Sequence, residues 1–374
     1  MQFDVACYPP GVGALVQGES QREAQPKAGH DTRKKSDPSH TSYFVDMRTP
    51  LTDMLGIDHP VMLAGMGGVS YSQLVAAVSS AGGFGCLGAS TMSQDQMVQE
   101  MRAVRQITDR PFGVDLLTAM PGDMTTRVKS LIDEGASVFV AGLGVPTEVV
   151  RLCHDNNVLV VSMCGKVTHA LRAVDAGCDL VVAQGTEAGG HTGQVATLPL
   201  VPQIVDAVGD RVPVVAAGGI FDGRGLAAAL CLGAVGVWVG TRFIATPEAR
   251  AVPGYKERLI ATGEDGTVVT RAYTGKTLRA VRNSYTDEFD TNPEKLQPFP
   301  AQVLQSTSDG AFHLGGDEST PGIDAERECY PAGQGTGAIT DLVPAAELVK
   351  RFVQEAETAL RLWAPKPSHS AIGP

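Results

Sequence analysis

The chain has 374 residues, a length that suits either one large α/β barrel or two ordinary domains. Its formal net charge of −11 argues against a broad nucleic-acid surface, because duplex phosphates need a basic face. No apolar run approaches the roughly 18 residues of a membrane span, and the N-terminus lacks the apolar core of a signal peptide. The sequence therefore predicts a cytoplasmic protein that binds neither nucleic acid nor membrane.

The seven cysteines are scattered, and most lie inside apolar segments. No pair has the C-x-x-C spacing of a metal or redox site, and none lies beside a cluster of histidines. We therefore expect small buried hydrophobes in a reducing compartment, with neither a disulfide framework nor a metal site.

Residues 1–46 differ in character from the rest of the chain. The stretch "GESQREAQPKAGHDTRKKSDPSHTS" at 18–42 is polar, rich in Pro, Gly, Ser and Lys, and has no periodic apolar face. Such a segment buries too little apolar surface to offset its ordering entropy. The sequence predicts a disordered N-terminal extension over 1–46 and a single folded domain over 47–374.

Short apolar runs recur at regular intervals through the first two thirds of this domain. They lie at residues 60–64, 84–87, 112–117, 137–141, 158–163, 179–183, 213–217 and 235–239. The amphipathic stretches between them have the length of helices, a pattern typical of parallel strands that are buried on both faces. Eight such strands predict a (β/α)8 barrel. An open, doubly wound sheet is the alternative.

The pattern stops after the eighth strand. Residues 245–330 are polar and rich in Gly, Pro, Thr and Asp, which predicts an inserted lid or small subdomain. A strongly periodic segment at 344–363 follows and predicts a C-terminal helix that closes the barrel.

Clusters of glycine follow four of the predicted strands. They are "AGMGG" at 64–68, "QGTEAGGH" at 184–191, "AGGIFDG" at 217–223 and "GTRF" at 240–243. In a (β/α)8 barrel the loops after the strands form the catalytic face, and those after strands 7 and 8 often hold a phosphate. Glycine lets backbone N–H groups approach a ligand, and the helix N-termini would add a favourable dipole. The clusters predict a phosphate-bearing ligand at this rim.

Four segments together resemble the nitronate monooxygenases, formerly called 2-nitropropane dioxygenases. They are "PVMLAGMGGVS", "GKVTHALRAVDAGCDLVVAQGTEAGGHTG", "VPVVAAGGIFDGRGLAAALCLGAVGVWVGTRF" and "PAGQGTGAI". The resemblance implies an FMN-dependent oxidoreductase built on a (β/α)8 barrel. It further implies a small-molecule substrate and O2 as partners, and a homodimer is left open.

The resemblance also implies which residues hold the cofactor. Along and beside the isoalloxazine it implies Gly65, Met66, Gly67, Gln184 and Gly189. At the phosphate it implies Gly218, Gly219, Gly240 and Thr241, with Lys166 as a positive charge near the flavin or its phosphate. The resemblance also implies Asp115 at the cofactor, although it departs from the family pattern, in which this strand-3 position is often asparagine.

His191 is the candidate catalytic residue, at the tip of the glycine loop after strand 6. Removing the proton next to a nitro group needs a base whose pKa is near the working pH, and histidine is such a base. The sequence therefore predicts His191 as the base and nitroalkanes or nitronates as substrates.

Two other functions remain open at this point. Similar motifs occur in FMN-containing enoyl-thioester and NADH:quinone reductases, which would take electrons from NADH. A flavin-binding protein without turnover is the third reading, and it would leave His191 without a purpose.

Overall fold

The computed structural model describes residues 47–118, 122–142 and 144–363. The predicted disordered extension, residues 1–46, lies outside the described residues, as does the end of the chain from 364. Eight parallel strands form one sheet in the order β1-β9-β8-β6-β5-β4-β3-β2. They are β1 (Val61–Leu63), β2 (Gly85–Gly88), β3 (Phe112–Leu117), β4 (Val138–Gly142), β5 (Leu159–Cys164), β6 (Leu180–Gln184), β8 (Val214–Ala217) and β9 (Val237–Val239).

The two edge strands of this sheet meet, so the sheet is a barrel. Met62 of β1 and Phe84, beside β2, form a parallel bridge, and the Leu63 N–H donates to the Phe84 carbonyl at 2.8 Å. The predicted (β/α)8 barrel is thus confirmed, and the open doubly wound sheet is excluded. All eight strands lie within two residues of the predicted apolar runs.

Each strand contributes side chains to two cores. Val181 of β6 packs between the sheet and the helices, whereas its neighbour Val182 points into the barrel. This alternation buries nearly every strand residue, which is why the strands appear in the sequence as continuous apolar runs.

Helices on the outside of the barrel connect its strands. They are α2 (Ser72–Ser80), α3 (Gln94–Ile107), α4 (Met124–Asp133), α5 (Thr147–His154), α6 (Val167–Asp175), α7 (Thr197–Val208) and α8 (Gly223–Cys231). A short helix α1 (Pro50–Leu55) precedes β1, and Leu51 and Leu55 join the core inside the barrel. The last helix, α13 (Ala345–Trp363), packs against α8 and α2.

The chain between β9 and α13 folds into a packed subdomain, which we call the insertion (residues 245–330). A turn of helix, α9 (Thr241–Ile244), leads into the insertion. Its elements are α10 (Tyr255–Ala261), β10 (Thr267–Thr270), β11 (Leu278–Val281), α11 (Ser284–Thr291) and α12 (Ala301–Ser308). The insertion has a core of its own, in which the rings of Tyr273 and Tyr285 stack with centroids 5.2 Å apart. Its polar composition did not predict this core.

A small antiparallel sheet joins the insertion to the barrel. Its strands run in the order β10-β11-β7, and β7 (Gly190–His191) belongs to the loop after β6. His191 pairs with Leu278, and Gly190 pairs with Arg279. The histidine loop is therefore one strand of a sheet that the insertion completes.

The helices and the cysteines of the described residues can be compared with the sequence. Across residues 47–118, 122–142 and 144–363, none of the helices combines the length and apolarity that a membrane crossing requires. Six cysteines fall in this part of the chain as free thiols; five are buried, and Cys231 is exposed.

Candidate active site

A cavity of about 1010 Å³ lies at the carboxyl ends of the barrel strands, beneath the insertion. It is lined by all but one of the predicted site residues: Gly65, Met66, Gly67, Asp115, Gln184, Gly189, His191, Gly218, Gly219, Gly240 and Thr241. These residues come from the ends of several strands that are distant in sequence. The barrel brings them together because its parallel strands all end at the same face.

Lys166 is the predicted site residue that does not line the cavity. It directly precedes α6, and its side chain is exposed to solvent. Its suggested contact with a flavin phosphate stays a prediction.

The N-terminus of α8 differs from the expected phosphate site. The Asp222 carboxylate accepts hydrogen bonds from the N–H groups of Arg224 and Gly225, at 3.0 and 3.3 Å. The Gly223 N–H donates to the Glu355 carboxylate at 2.9 Å. Carboxylates thus already occupy the positive end of this helix dipole, and a phosphate at the rim would have to bind elsewhere.

Side chains fix the glycine-rich loop after β6. The Gln184 Nε2 donates to the His191 carbonyl at 2.7 Å, which ties the start of the loop to its tip. The Glu187 carboxylate accepts from the Thr197 N–H at 2.6 Å and from its hydroxyl at 2.5 Å, and so caps α7. Glu187 is therefore a structural residue of this loop.

His191 lies half-buried at the tip of this loop. Its Nε2 is 3.1 Å from the hydroxyl of Thr274, a residue of the insertion. Burial lowers the pKa of His191 to about 4, and the nearby Lys276 ammonium adds to the effect. This pKa is lower than the value near the working pH that the sequence analysis expects of a base. The imidazole is neutral at physiological pH, and its protonated form is disfavoured.

Two of the predicted site glycines are required by the packing of the fold. A Cβ added at Gly65 would lie 2.2 Å from the Asp115 Cβ. Gly218 has a left-handed φ of 105°, and a Cβ there would lie 2.7 Å from the Thr197 hydroxyl. Close packing of barrel elements accounts for these two glycines without any ligand.

Gly240 has a different environment. A Cβ there would meet only the Met66 sulfur at 3.3 Å and the Ala64 Cβ at 3.5 Å, the first being the end of a flexible side chain. The cavity wall also contains the Thr91 hydroxyl, which is buried without a hydrogen-bond partner among the described residues. An open backbone position and an unsatisfied hydroxyl in one cavity suit a ligand with polar groups.

Asp115 lies in the interior of β3 and borders the cavity. Burial raises the pKa of its carboxyl to about 8. In most molecules the Asp115 carboxyl is therefore neutral at pH 7. A neutral carboxyl can donate a hydrogen bond as an asparagine amide does. The departure from the family's usual asparagine is thus smaller than its charge suggests.

The insertion contributes cavity residues that sequence reasoning missed. Among them are Thr274, Lys276, His313 and Glu328. The Lys276 ammonium lies 4.2 Å from the centre of the Phe299 ring. The only sequence signal was the basic, Thr-containing segment "RAYTGKTLRAVRNSY", and nothing in its spacing pointed to the barrel.

Comparison with known proteins identifies the family. The family model for nitronate monooxygenase matches residues 48–125 and 118–355. A relative from Mycobacterium tuberculosis, (3aS,4S,5R,7aS)-5-hydroxy-7a-methyl-1-oxo-octahydro-1H-indene-4-carboxyl-CoA dehydrogenase, is 35% identical over 347 residues, which cover 84% of this chain and 98% of that protein.

Solved structures agree with this assignment. FabK from Thermotoga maritima aligns with a TM-score of 0.75 and 34% identity, over 84% of this chain and 98% of its own. A nitroalkane oxidase from Streptomyces ansochromogenes aligns with a TM-score of 0.71 and 30% identity, over 83% of this chain and 99% of its own. The chain is therefore an oxidoreductase that belongs to the nitronate monooxygenase family.

Proposed function

We propose that this protein binds FMN at the carboxyl end of its barrel and uses O2 to oxidise alkyl nitronates and nitroalkanes. One observation carries the proposal. The residues implied to contact a flavin come from motifs far apart in sequence, yet all but Lys166 line one cavity together with His191. Flavin is typical of the family, which supports the cofactor class.

The cavity suits a mononucleotide. Its volume of about 1010 Å³ is at the upper end of small-molecule sites, which run from roughly 300 to 1,000 Å³. FMN and a small substrate would therefore fit together. Since carboxylates cap α8, the phosphate would bind the backbone N–H groups at 218–219 and 240–241. The Thr91 hydroxyl, which has no partner among the described residues, would form a hydrogen bond with the cofactor.

Residues of this chain would bind and orient the substrate. FMN, when bound, supplies the redox step by accepting electrons from the substrate and passing them to O2. The Lys276 ammonium gives the cavity a positive charge that attracts an anionic nitronate. Neutral His191 would hydrogen-bond to the nitronate oxygens and avoid the repulsion that a second cation would meet.

A reductase of the same fold is the second candidate. The M. tuberculosis relative is named as a dehydrogenase of a carboxyl-CoA compound, and it aligns over most of both chains. A protein of that class would exchange electrons with a thioester substrate or a nicotinamide. Membership of an oxidoreductase family argues against the third reading, a flavin-binding protein without turnover.

Anaerobic mixing of the purified protein with propionate-3-nitronate, and separately with NADH, tests this proposal. We expect non-covalent FMN by mass spectrometry, loss of flavin absorbance with the nitronate, and its return when O2 is admitted. FAD in place of FMN would contradict the cofactor. Rapid bleaching by NADH with no response to the nitronate would favour the reductase.

A further inference from the structure

A hydroxyl of the insertion lies against the histidine at the tip of the loop after β6. Thr274, in the turn between β10 and β11, is 3% exposed, and its Oγ1 is 3.1 Å from Nε2 of His191. The same hydroxyl oxygen is 3.2 Å from the Lys276 carbonyl and accepts from the Lys276 N–H at 3.3 Å. Three polar groups therefore share one hydroxyl, which has a single proton to donate.

The Lys276 carbonyl decides where that proton lies. Among the described residues, no other group donates to this carbonyl, so it would lose its partner if the hydroxyl turned away. Folded proteins rarely leave such a backbone group unpaired. The Thr274 hydroxyl therefore donates to the carbonyl and accepts from Nε2–H of His191. The neutral imidazole is then protonated on Nε2, and its lone pair is on Nδ1.

Nδ1 of His191 is the nitrogen that a ligand can reach. It has no hydrogen-bond partner in the described part of the chain, and this atom is accessible rather than buried. His191 lines the cavity, so the accessible nitrogen is next to the space that a ligand would fill. A lone pair in that position can accept a proton from a bound molecule.

Both ends of this contact are held in place. The Ser306 hydroxyl donates to the Tyr273 carbonyl at 2.7 Å, which anchors the residue before Thr274 to the core of the insertion. On the barrel side, the Gln184 Nε2 donates to the His191 carbonyl at 2.7 Å. The hydroxyl and the imidazole therefore meet because two fixed backbone segments bring them together.

His313, which also lines the cavity, has a different kind of partner. Its Nδ1 is 2.6 Å from Oε2 of Glu328, whose side chain is 2% exposed. A carboxylate only accepts hydrogen bonds and so holds a single tautomer, whereas a hydroxyl can accept or donate. Because its partner is a hydroxyl, His191 can use either tautomer, according to the direction of the Thr274 O–H bond.

We propose that Thr274 is a positioning residue that sets the tautomer of His191. With Nε2–H donated to the hydroxyl, Nδ1 removes the α-proton of a bound nitroalkane. The α C–H bond breaks, its electron pair forms the C=N bond of the nitronate, negative charge moves onto the nitro oxygens, and Nδ1 binds the proton. The anion formed beside the ring stabilises the imidazolium. The inference rests on the proposed function.

The same hydroxyl serves a nitronate that binds already deprotonated. It then turns to donate to Nε2, and the neutral His191 ring donates Nδ1–H to the nitronate oxygens. A hydrogen bond to an anion is stronger than one between neutral groups, which offsets the bond lost at the Lys276 carbonyl.

Matched substitutions test the role of the hydroxyl. Thr274→Val keeps the branched shape and removes the hydroxyl, whereas Thr274→Ser keeps the hydroxyl. Thr307→Val in α12 is the control, because the Thr307 hydroxyl donates to the Val303 carbonyl at 2.8 Å and Thr307 does not line the cavity. Flavin content and melting temperature check that each variant is folded.

The kinetic test compares nitroethane, which must lose a proton, with preformed ethyl nitronate, which has already lost it. We expect Thr274→Val to lower kcat/KM for nitroethane by roughly tenfold or more, since a catalytic histidine in the wrong tautomer loses much of its rate. The loss for the nitronate should be smaller, and Thr274→Ser should restore most of both. Anaerobic exchange of α-deuterium from labelled nitroethane follows proton transfer without net oxidation.

Nitrogen-15 NMR of the His191 ring measures the tautomer without turnover. We expect the proton on Nε2 in the ligand-free wild type and in Thr274→Ser, and a mixture of tautomers in Thr274→Val. A wild-type ring protonated on Nδ1 would overturn the proposal.

The outcomes for the two proposals differ. A wild-type protein that does not oxidise ethyl nitronate contradicts the proposed function, whereas the tautomer is measured independently of activity. Wild-type deuterium exchange in Thr274→Val overturns the role of Thr274. Equal losses in Thr274→Val and Thr274→Ser would reject it as well, because the hydroxyl would then not be the group that matters.

Discussion

The barrel rim and the insertion contribute different kinds of groups to the same cavity. The rim presents glycines and backbone, with few side chains that can carry a charge, whereas the insertion presents Lys276, His313 and Glu328. A wall made of glycines and backbone groups lets a large flat cofactor pack closely. Charged side chains can bind a small anion and transfer its proton. We therefore interpret the rim as the surface that binds the cofactor and the insertion as the region that binds the substrate.

The difference has a structural cause. The rim residues are held by the packing of barrel elements, as the close approach of Gly65 to Asp115 shows, so their identity is constrained by the fold. The insertion has its own core around Tyr273 and Tyr285, and it meets the histidine loop through one short strand. Side chains of this separate core are therefore less constrained by the packing of the barrel strands than the rim residues are.

The largest expected effect comes from breaking the connection between the two regions. Arg279 of β11 is buried, and its Nε donates to the Thr186 carbonyl at 2.9 Å and its Nη1 to the Thr267 hydroxyl at 3.1 Å. Arg279→Met should destabilise the insertion by about 2 to 4 kcal/mol, since hydrogen bonds to charged groups contribute about 1.5 to 3 kcal/mol each and the effects are not additive. Hydrogen exchange should accelerate in β7, β10 and β11.

The amides of the central barrel strands are the internal control for this variant. Arg279→Lys, which keeps the charge and one donor, should show a smaller effect. Equal acceleration in β4 and β5 would mean that the two regions unfold as one unit.

A pair of alanine substitutions distinguishes glycines of the fold from glycines of the ligand surface. Gly65→Ala forces a Cβ against Asp115 and should cost about 1 to 3 kcal/mol of stability, as overpacking does. Gly240→Ala should leave the melting temperature nearly unchanged, because the closest atom is the end of a flexible methionine and the Ala64 Cβ lies at an ordinary contact distance. It should weaken FMN binding by about tenfold, or about 1.4 kcal/mol, when measured by flavin fluorescence.

Unchanged FMN affinity in Gly240→Ala would remove this glycine from the cofactor surface. A normal melting temperature for Gly65→Ala would show that the rim is less tightly packed than the contact with Asp115 indicates.

Near pH 4 the smallest effect is expected at Asp115, and it grows as the pH rises. Burial raises its folded-state pKa to about 8 from the ordinary value of 3.8, so between these values the folded protein keeps a proton that the unfolded chain releases. Stability contributed by this group is therefore present at low pH and is lost as pH rises toward 8. Asp115→Asn should match the wild type near pH 4 and exceed it in melting temperature increasingly up to about pH 8. A constant difference across that range would contradict the buried neutral carboxyl.

The sequence predicted the repeating strands and helices of the barrel best. The barrel strands were predicted within two residues because burial on both faces gives each strand a continuous apolar run. The rim residues followed from motifs attached to those strands, and all but Lys166 line the cavity.

Sequence reasoning failed where long-range contacts decide the outcome. The pKa of His191 depends on burial under the insertion and on Lys276, which no local pattern connects to it. The carboxylates that cap α8 include Glu355 from the last helix, and no local pattern in the sequence predicts that they occupy this helix N-terminus. His313 lies in a polar stretch without periodicity, so only its hydrogen bond to Glu328 in the folded chain identifies it as a site residue.

The protonation states of the two cavity histidines test the contrast between rim and insertion most directly. Nitrogen-15 NMR of the histidine rings, recorded from pH 5 to pH 8, reports tautomer and charge at each ring. We predict that His191 stays neutral throughout, since its pKa is about 4, and that His313 carries its proton on Nδ1 toward Glu328 in the neutral form. A His191 that titrates near 6.5, together with a His313 protonated on Nε2, would contradict the account.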